Sequence, residues 1–267
     1  MTNLRYLIEI ILDKNHNITN MTFNRIYKTF IWISIFSIAM AFLETAVVVY
    51  LRKIYYPDGF NFPLKIMDKD IAIVEIFREF ATLIMLLGAG FMAGRNKTEK
   101  FGLFLYSFAV WDISYYIFLK VILNWPAGLL TWDILFLIPT TWVGPVIAPL
   151  IVSVIMIAFA LLISKFTNKD IKTRINLLEW VFLIVGSIIL IVGFVYDYVR
   201  YMLQYFSLGE IVLPTNTAKL MEKALVYIPA SFPWLIFFLG IGVIIGGIGK
   251  FFLRNKLIQR ADYRKDL

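Results

Sequence analysis

The sequence predicts an all-α integral membrane protein: a bundle of about six transmembrane helices, with an N-terminal interfacial helix and a Trp/Pro-rich outer hairpin between spans 3 and 4. Three observations predict it. The chain is 60% hydrophobic and only 16% charged, with a mean hydropathy of +0.78; soluble domains stand near 45–50% and about 25%. Six apolar runs approach the roughly 20 residues that a bilayer demands of a helix. Lys and Arg collect on alternate connections between those runs.

The elements follow in chain order. Residues 2–13 place Leu4, Leu7, Ile8 and Ile11 on one helical stripe, which predicts a helix lying on the membrane surface. No cleavable leader pattern is evident at the start. The predicted spans are 29–51, 71–93, 101–123, 143–164, 177–203 and 230–253. They divide the chain into an N-terminal cytoplasmic interfacial segment at 1–28, a six-span domain at 29–253 and a basic cytoplasmic tail at 254–267. Six spans leave both termini on one side. That side carries 17 of the 26 Lys and Arg, the other carries 8, and Arg78 falls inside a span. The asymmetry predicts cytoplasmic termini and a cell membrane of the bacterial inner-membrane type. Gly90 and Gly94, and Gly242 and Gly246, form small-xxx-small pairs expected at close helix contacts. No internal repeat is evident, so the repeat signature of many secondary transporters is missing.

Composition also excludes chemistry. There is no cysteine, and His16 is the single histidine. Haem with paired histidines, Fe–S clusters, thiol catalysis and His/Cys zinc sites are therefore excluded. The net charge of +8 belongs mainly to loops and tails beside the membrane, and nucleic acid is not an expected partner.

The charges inside the spans carry the functional reading. A charge in hydrocarbon costs roughly 3 kcal/mol or more and usually marks an interior or a wet path. On the predicted topology, Glu44, Glu75, Arg78, Glu79, Asp112, Lys120, Asp197 and Arg200 fall in the outer half of the bilayer. Glu75, Arg78, Glu79 and Thr82 share one helical stripe; Asp112, Tyr116 and Lys120 share another. Four such stripes, from spans 1, 2, 3 and 5, are expected to line one outward-opening pocket. Its five carboxylates outnumber its three cations, so the surplus must be protonated, hydrated or matched by a bound cation. A hard divalent ion on oxygen ligands is possible, with Glu79 and Asp112 as its first ligands; no other cofactor is evident.

The segment 124–149 holds three Trp, four Pro, two Gly and one charge, Asp133. Its prolines interrupt a long helix. It reads as an outer hairpin or re-entrant piece, with Trp125, Trp132 and Trp142 at headgroup level and Asp133 among them, forming a lid or an interface. Together with Trp111-Asp112, Tyr115-Tyr116 and Lys120, this stretch resembles a set of uncharacterised bacterial multi-pass membrane proteins over about residues 75–150. The resemblance supplies no activity.

Three functions are expected alternatives. The first is binding or permeation of a proton, a cation or a small cationic solute in the carboxylate pocket. The second is an intramembrane enzyme acting on a lipid or isoprenoid substrate at the outer leaflet, with Arg78 and Lys120 holding a phosphate. The third is a structural or assembly subunit whose charges are helix-to-helix ion pairs. The bilayer is the expected partner in every case.

Overall fold

The computed structural model describes residues 2–137, 140–170, 172–212 and 217–265. The chain is mostly helical, at 75%. In order it forms α1 (Thr2–Tyr55), α2 (Lys69–Ala93), α3 (Lys97–Leu123), β1 (Trp132–Phe136), β2 (Trp142–Pro145), α4 (Ile147–Lys169), α5 (Leu177–Met202), α6 (Leu208–Val212), α7 (Thr217–Ala224) and α8 (Trp234–Lys265). Among the described residues, five helices contain stretches long and apolar enough to cross a membrane: Arg25–Tyr55, Lys97–Leu123, Ile147–Asn168, Leu177–Met202 and Trp234–Ala261. α2 has 25 residues but is not one of the five, and its first three turns carry Lys69, Asp70, Glu75, Arg78 and Glu79. Along the outer faces of the helices large apolar side chains are exposed, Phe42, Phe77, Ile188 and Leu239 among them, as expected of surfaces that meet lipid rather than water.

α1 is one unbroken helix through the predicted boundary at residues 28 and 29. The expected apolar stripe of Leu4, Leu7, Ile8 and Ile11 concerns side chains outside the described residues. The starts of three helices are set by local polar residues. Asp68 accepts from the Asp70 N–H at 2.9 Å before α2, and Asn96 accepts from the Glu99 N–H at 2.8 Å before α3. Asn176 and Glu179 form a reciprocal capping box at α5, which satisfies N–H groups the helix leaves unpaired.

α3 packs against α1, α2 and α4, while α5 packs against α8. Glycine sets two of these approaches. A Cβ on Gly90 would stand 2.5 Å from the Phe104 backbone nitrogen, so α2 and α3 touch backbone to backbone there. A Cβ on Gly186 would stand 2.5 Å from Ile244 Cγ1, which places the close α5–α8 contact at Gly186 and Gly240. Gly242, expected at such a contact, faces open space.

The segment between α3 and α4 departs from the all-α expectation. β1 and β2 pair antiparallel, with Asp133 opposite Gly144 and Ile134 opposite Val143. An irregularity between Ile134 and Phe136 bends β1, as one extra residue in a ladder does. Val143 and Val146 are fully buried. Trp142 stacks on Phe194 of α5 at 5.9 Å, and Trp132 meets Phe232 edge-on at 6.3 Å. The hairpin is therefore packed into the end of the bundle, where α1 and α3 finish and α8 begins.

Candidate functional site

The hairpin end of the bundle carries most of the buried charge. The polar stripes of α1 and α2 face each other. Arg78 donates from Nε to Glu75 at 2.9 Å, and its terminal nitrogens pair with Glu75 and with Glu44 across the helix interface. Thr82 donates to the same Glu44 carboxylate at 3.2 Å. One guanidinium thus joins two carboxylates that are each about 10% exposed.

The other predicted acids have separate partners. Glu79, half-buried, accepts from the Leu137 N–H of the hairpin at 3.2 Å. Asp112 accepts from the Ser153 hydroxyl of α4 at 2.8 Å. Asp197 accepts from the Tyr227 hydroxyl at 2.7 Å, the Ala230 N–H at 3.0 Å and the Ser231 N–H at 3.2 Å, and so fixes the chain entering α8. Lys120 is exposed and donates to the Pro126 and Asn124 carbonyls at 3.0 and 3.4 Å, closing the end of α3. Arg200 is exposed.

The expected single carboxylate pocket is therefore distributed over four places. Glu44, Glu75 and Arg78 do meet, and Glu79 lies one residue further along α2. Asp112 and Asp197 stand apart, each held by neutral donors. Among the described residues, no three acidic or histidine side chains are grouped to hold a metal ion. Lys120 closes its own helix instead of facing Arg78, so these two do not form the expected phosphate clamp.

A different constellation lies under the hairpin. Arg52, in the last turn of α1, donates to Asp133 Oδ1 at 3.2 Å, and Tyr116 of α3 donates to Asp133 Oδ2 at 3.2 Å. The guanidinium lies 3.7 Å from the Trp125 ring centroid and 4.5 Å from that of Phe60. Its Nη1 is buried with no hydrogen-bond partner among the described residues. Arg52 lines a cleft of about 740 Å³ bounded by the 56–62 loop, the 123–132 segment and Ile228-Pro229. Tyr56 sits in its wall and accepts from the Lys65 N–H at 2.8 Å. Burial pushes the Tyr56 phenol above its ordinary pKa, against the pull of that N–H and of Arg52, so it remains a neutral hydroxyl.

Sequence reasoning placed Trp125, Trp132 and Asp133 in the hairpin, set Tyr116 beside Asp112 in the carboxylate pocket, and counted Arg52 only among the outer-side cations. The available signal was helical phase: Ala41, Thr45, Val48, Val49 and Arg52 continue one stripe of α1, which runs four residues past the apolar run. Ser153 and Tyr227, partners of Asp112 and Asp197, carried no signal of their own. No protein-family model, curated protein or solved structure matches this chain.

Proposed function

We propose that the chain is a six-span membrane protein with both termini on the cytoplasmic side, and that it binds a small molecule from the outer side in the cleft at Arg52. α2 supplies the sixth span. Its Arg78 is neutralised by Glu44 and Glu75, and its far half packs on α3 through Gly90, which suits a helix sheltered by neighbours. The Lys and Arg asymmetry supports the orientation, putting the hairpin end outside.

One observation carries the binding reading: a concave, aromatic-walled space of ligand size that converges on a buried Arg with an unpaired nitrogen. Binding sites commonly combine apolar walls with a few placed polar groups. The carboxylate layer supports a scaffold role instead, because Glu44 and Glu75 face a base and Asp112 and Asp197 face neutral donors.

The absence of native cysteine makes a direct test simple. Asn61→Cys at the cleft rim is expected to react with a membrane-impermeant maleimide in intact cells. Lys172→Cys, between α4 and α5, is expected to react only after permeabilisation. The reverse pattern would remove the outward reading.

A further inference from the structure

We infer that the Arg52 cleft takes an anion carried on an apolar body: a carboxylate or phosphate monoester joined to a flat ring or a short chain. The inference rests on the cleft being a binding site and names what it binds.

The charge of the lining decides the sign. Among the described residues, Arg52 and Lys53 line the cleft and no acidic side chain does; Asp58, in the same loop, is exposed and outside the lining. Asp133, the nearest acid named, has one oxygen on Arg52 and the other on Tyr116, so it is already occupied as an acceptor. Asp133 offsets Arg52 from outside the lining, so a cationic ligand would meet the charge of Lys53 and a guanidinium edge that can only donate, with no acidic lining residue to accept it.

The geometry of Arg52 decides the chemical group. Its side chain is 9% exposed, and only Nη2 is engaged by Asp133. Nη1 keeps donors that no described residue accepts. A buried N–H without an acceptor is costly, and the planar guanidinium fork fits two oxygens of one oxyanion. Asp133 uses one edge of that fork and leaves the other for a ligand.

The walls decide the rest of the molecule. The Phe60 and Trp125 rings cover the guanidinium, and Tyr56, Phe62 and Trp132 extend the aromatic surface along the cleft. An oxygen reaches Nη1 when one covering ring swings aside and stacks on the ligand's apolar body. A bare inorganic ion would displace the ring and leave that surface without a partner.

The source of such an anion is either a lipid headgroup at the membrane surface or a free solute. Both share this chemistry, and the test separates them. The full chain is placed in phosphatidylcholine nanodiscs and titrated with 4-phenylbutyrate, phenyl phosphate and the neutral 4-phenylbutan-1-ol. Intrinsic Trp fluorescence reports through Trp125, and calorimetry checks the result. The anions are expected to saturate and to bind at least roughly tenfold more tightly than the alcohol, the factor one charge-assisted contact provides. The paired variant Arg52→Gln/Asp133→Asn is expected to erase that preference without leaving a lone buried charge. Lys53→Gln, on the exposed rim, is expected to weaken the anions several-fold in a fully folded chain. Adding phosphatidylglycerol to the discs assigns the source: competition with the probes points to a lipid headgroup, and unchanged affinity points to a solute. Equal binding of alcohol and anions, or anion binding unchanged in both variants, overturns the inference. If Asn61→Cys labels from outside while no anion binds, the outward cleft stands and the ligand class falls. If the anions bind while Asn61→Cys is shielded, the ligand class stands and the orientation falls.

Discussion

Replacing Arg78 by Met should destabilise the protein far more than replacing the whole charged group at once. Arg78 is 19% exposed and holds Glu44 and Glu75, each 10% exposed, on the facing sides of α1 and α2. Removing the guanidinium leaves two adjacent carboxylates out of water with no counter-charge. Breaking a buried ion pair from one side costs about 3–5 kcal/mol, whereas replacing all members by uncharged side chains of similar size is often close to neutral. Arg78→Met alone is therefore expected to cost about 3–5 kcal/mol. Glu44→Gln/Glu75→Gln/Arg78→Met is expected to return to within about 1 kcal/mol of the parent. For a chain of this size each kcal/mol moves the midpoint by roughly 2–4 °C, so the single variant should melt about 6–20 °C lower. The assay is the apparent midpoint in one detergent, read by the fraction of monodisperse protein left after heating. A triple variant as unstable as Arg78→Met would refute the reasoning, because the loss would then come from packing of the long side chain and not from unpaired charge.

Further outcomes follow from other contacts. Gly186→Ala should cost about 1–3 kcal/mol by overpacking, since its Cβ would meet Ile244 Cγ1 at 2.5 Å and the Gly240 carbonyl at 3.0 Å; Gly242→Ala, facing open space, should be neutral or stabilise by up to about 1 kcal/mol, and the same thermal assay separates them. Asp197→Ala should release Tyr227, Ala230 and Ser231 at a cost of about 2–4 kcal/mol, and limited proteolysis should open a new cut between residues 225 and 233. The Ser207 backbone N–H and hydroxyl hold the Glu210 carboxyl below its usual range. Its contribution to the short helix α6 is thus present above the ordinary carboxylate pKa and is lost as pH falls through the depressed value. Hydrogen exchange of residues 207–212 should accelerate only in that acid range, and acceleration already at neutral pH would contradict it.

Much of the fold was legible because lipid leaves few options: long apolar runs must become helices, and five stretches of that kind are present among the described residues. The stripe of Glu75, Arg78 and Thr82 was legible from its three- and four-residue spacing, and Glu44 and Thr82 do meet across α1 and α2. Partner choice was not legible. It depends on how each helix is rotated about its axis, so nothing in the sequence tied Asp112 to Ser153 or Glu179 to Arg254. The surplus of acids did not say what holds each one: the donors to Asp112 and Asp197 are hydroxyl and backbone N–H groups, which a count of formal charges does not register. Arg52 was missed because an apolar run stops at the first charge, while the helix beneath it continues to Tyr55. The hairpin strands are four and five residues long, too short for alternation to stand out in a stretch already crowded with Pro and Trp.

The scattered polar contacts have a consequence for assembly. Ser37 meets Ser107 between α1 and α3 at 2.9 Å, Thr82 meets Glu44 between α1 and α2, and Ser153 meets Asp112 between α3 and α4. Glu179 meets Arg254 between α5 and α8 at 2.8 Å. In lipid, apolar helix surfaces do not discriminate among neighbours, because the tails are as good a solvent as leucine. A hydroxyl or carboxylate that must find one matching donor does discriminate. These four pairs of helices therefore carry their own addresses, and a slip within one of them leaves two of these groups unanswered. An uncharged Glu44, Glu75 and Arg78 variant that regains its melting midpoint would still have lost the label that tells α2 which face of α1 to join.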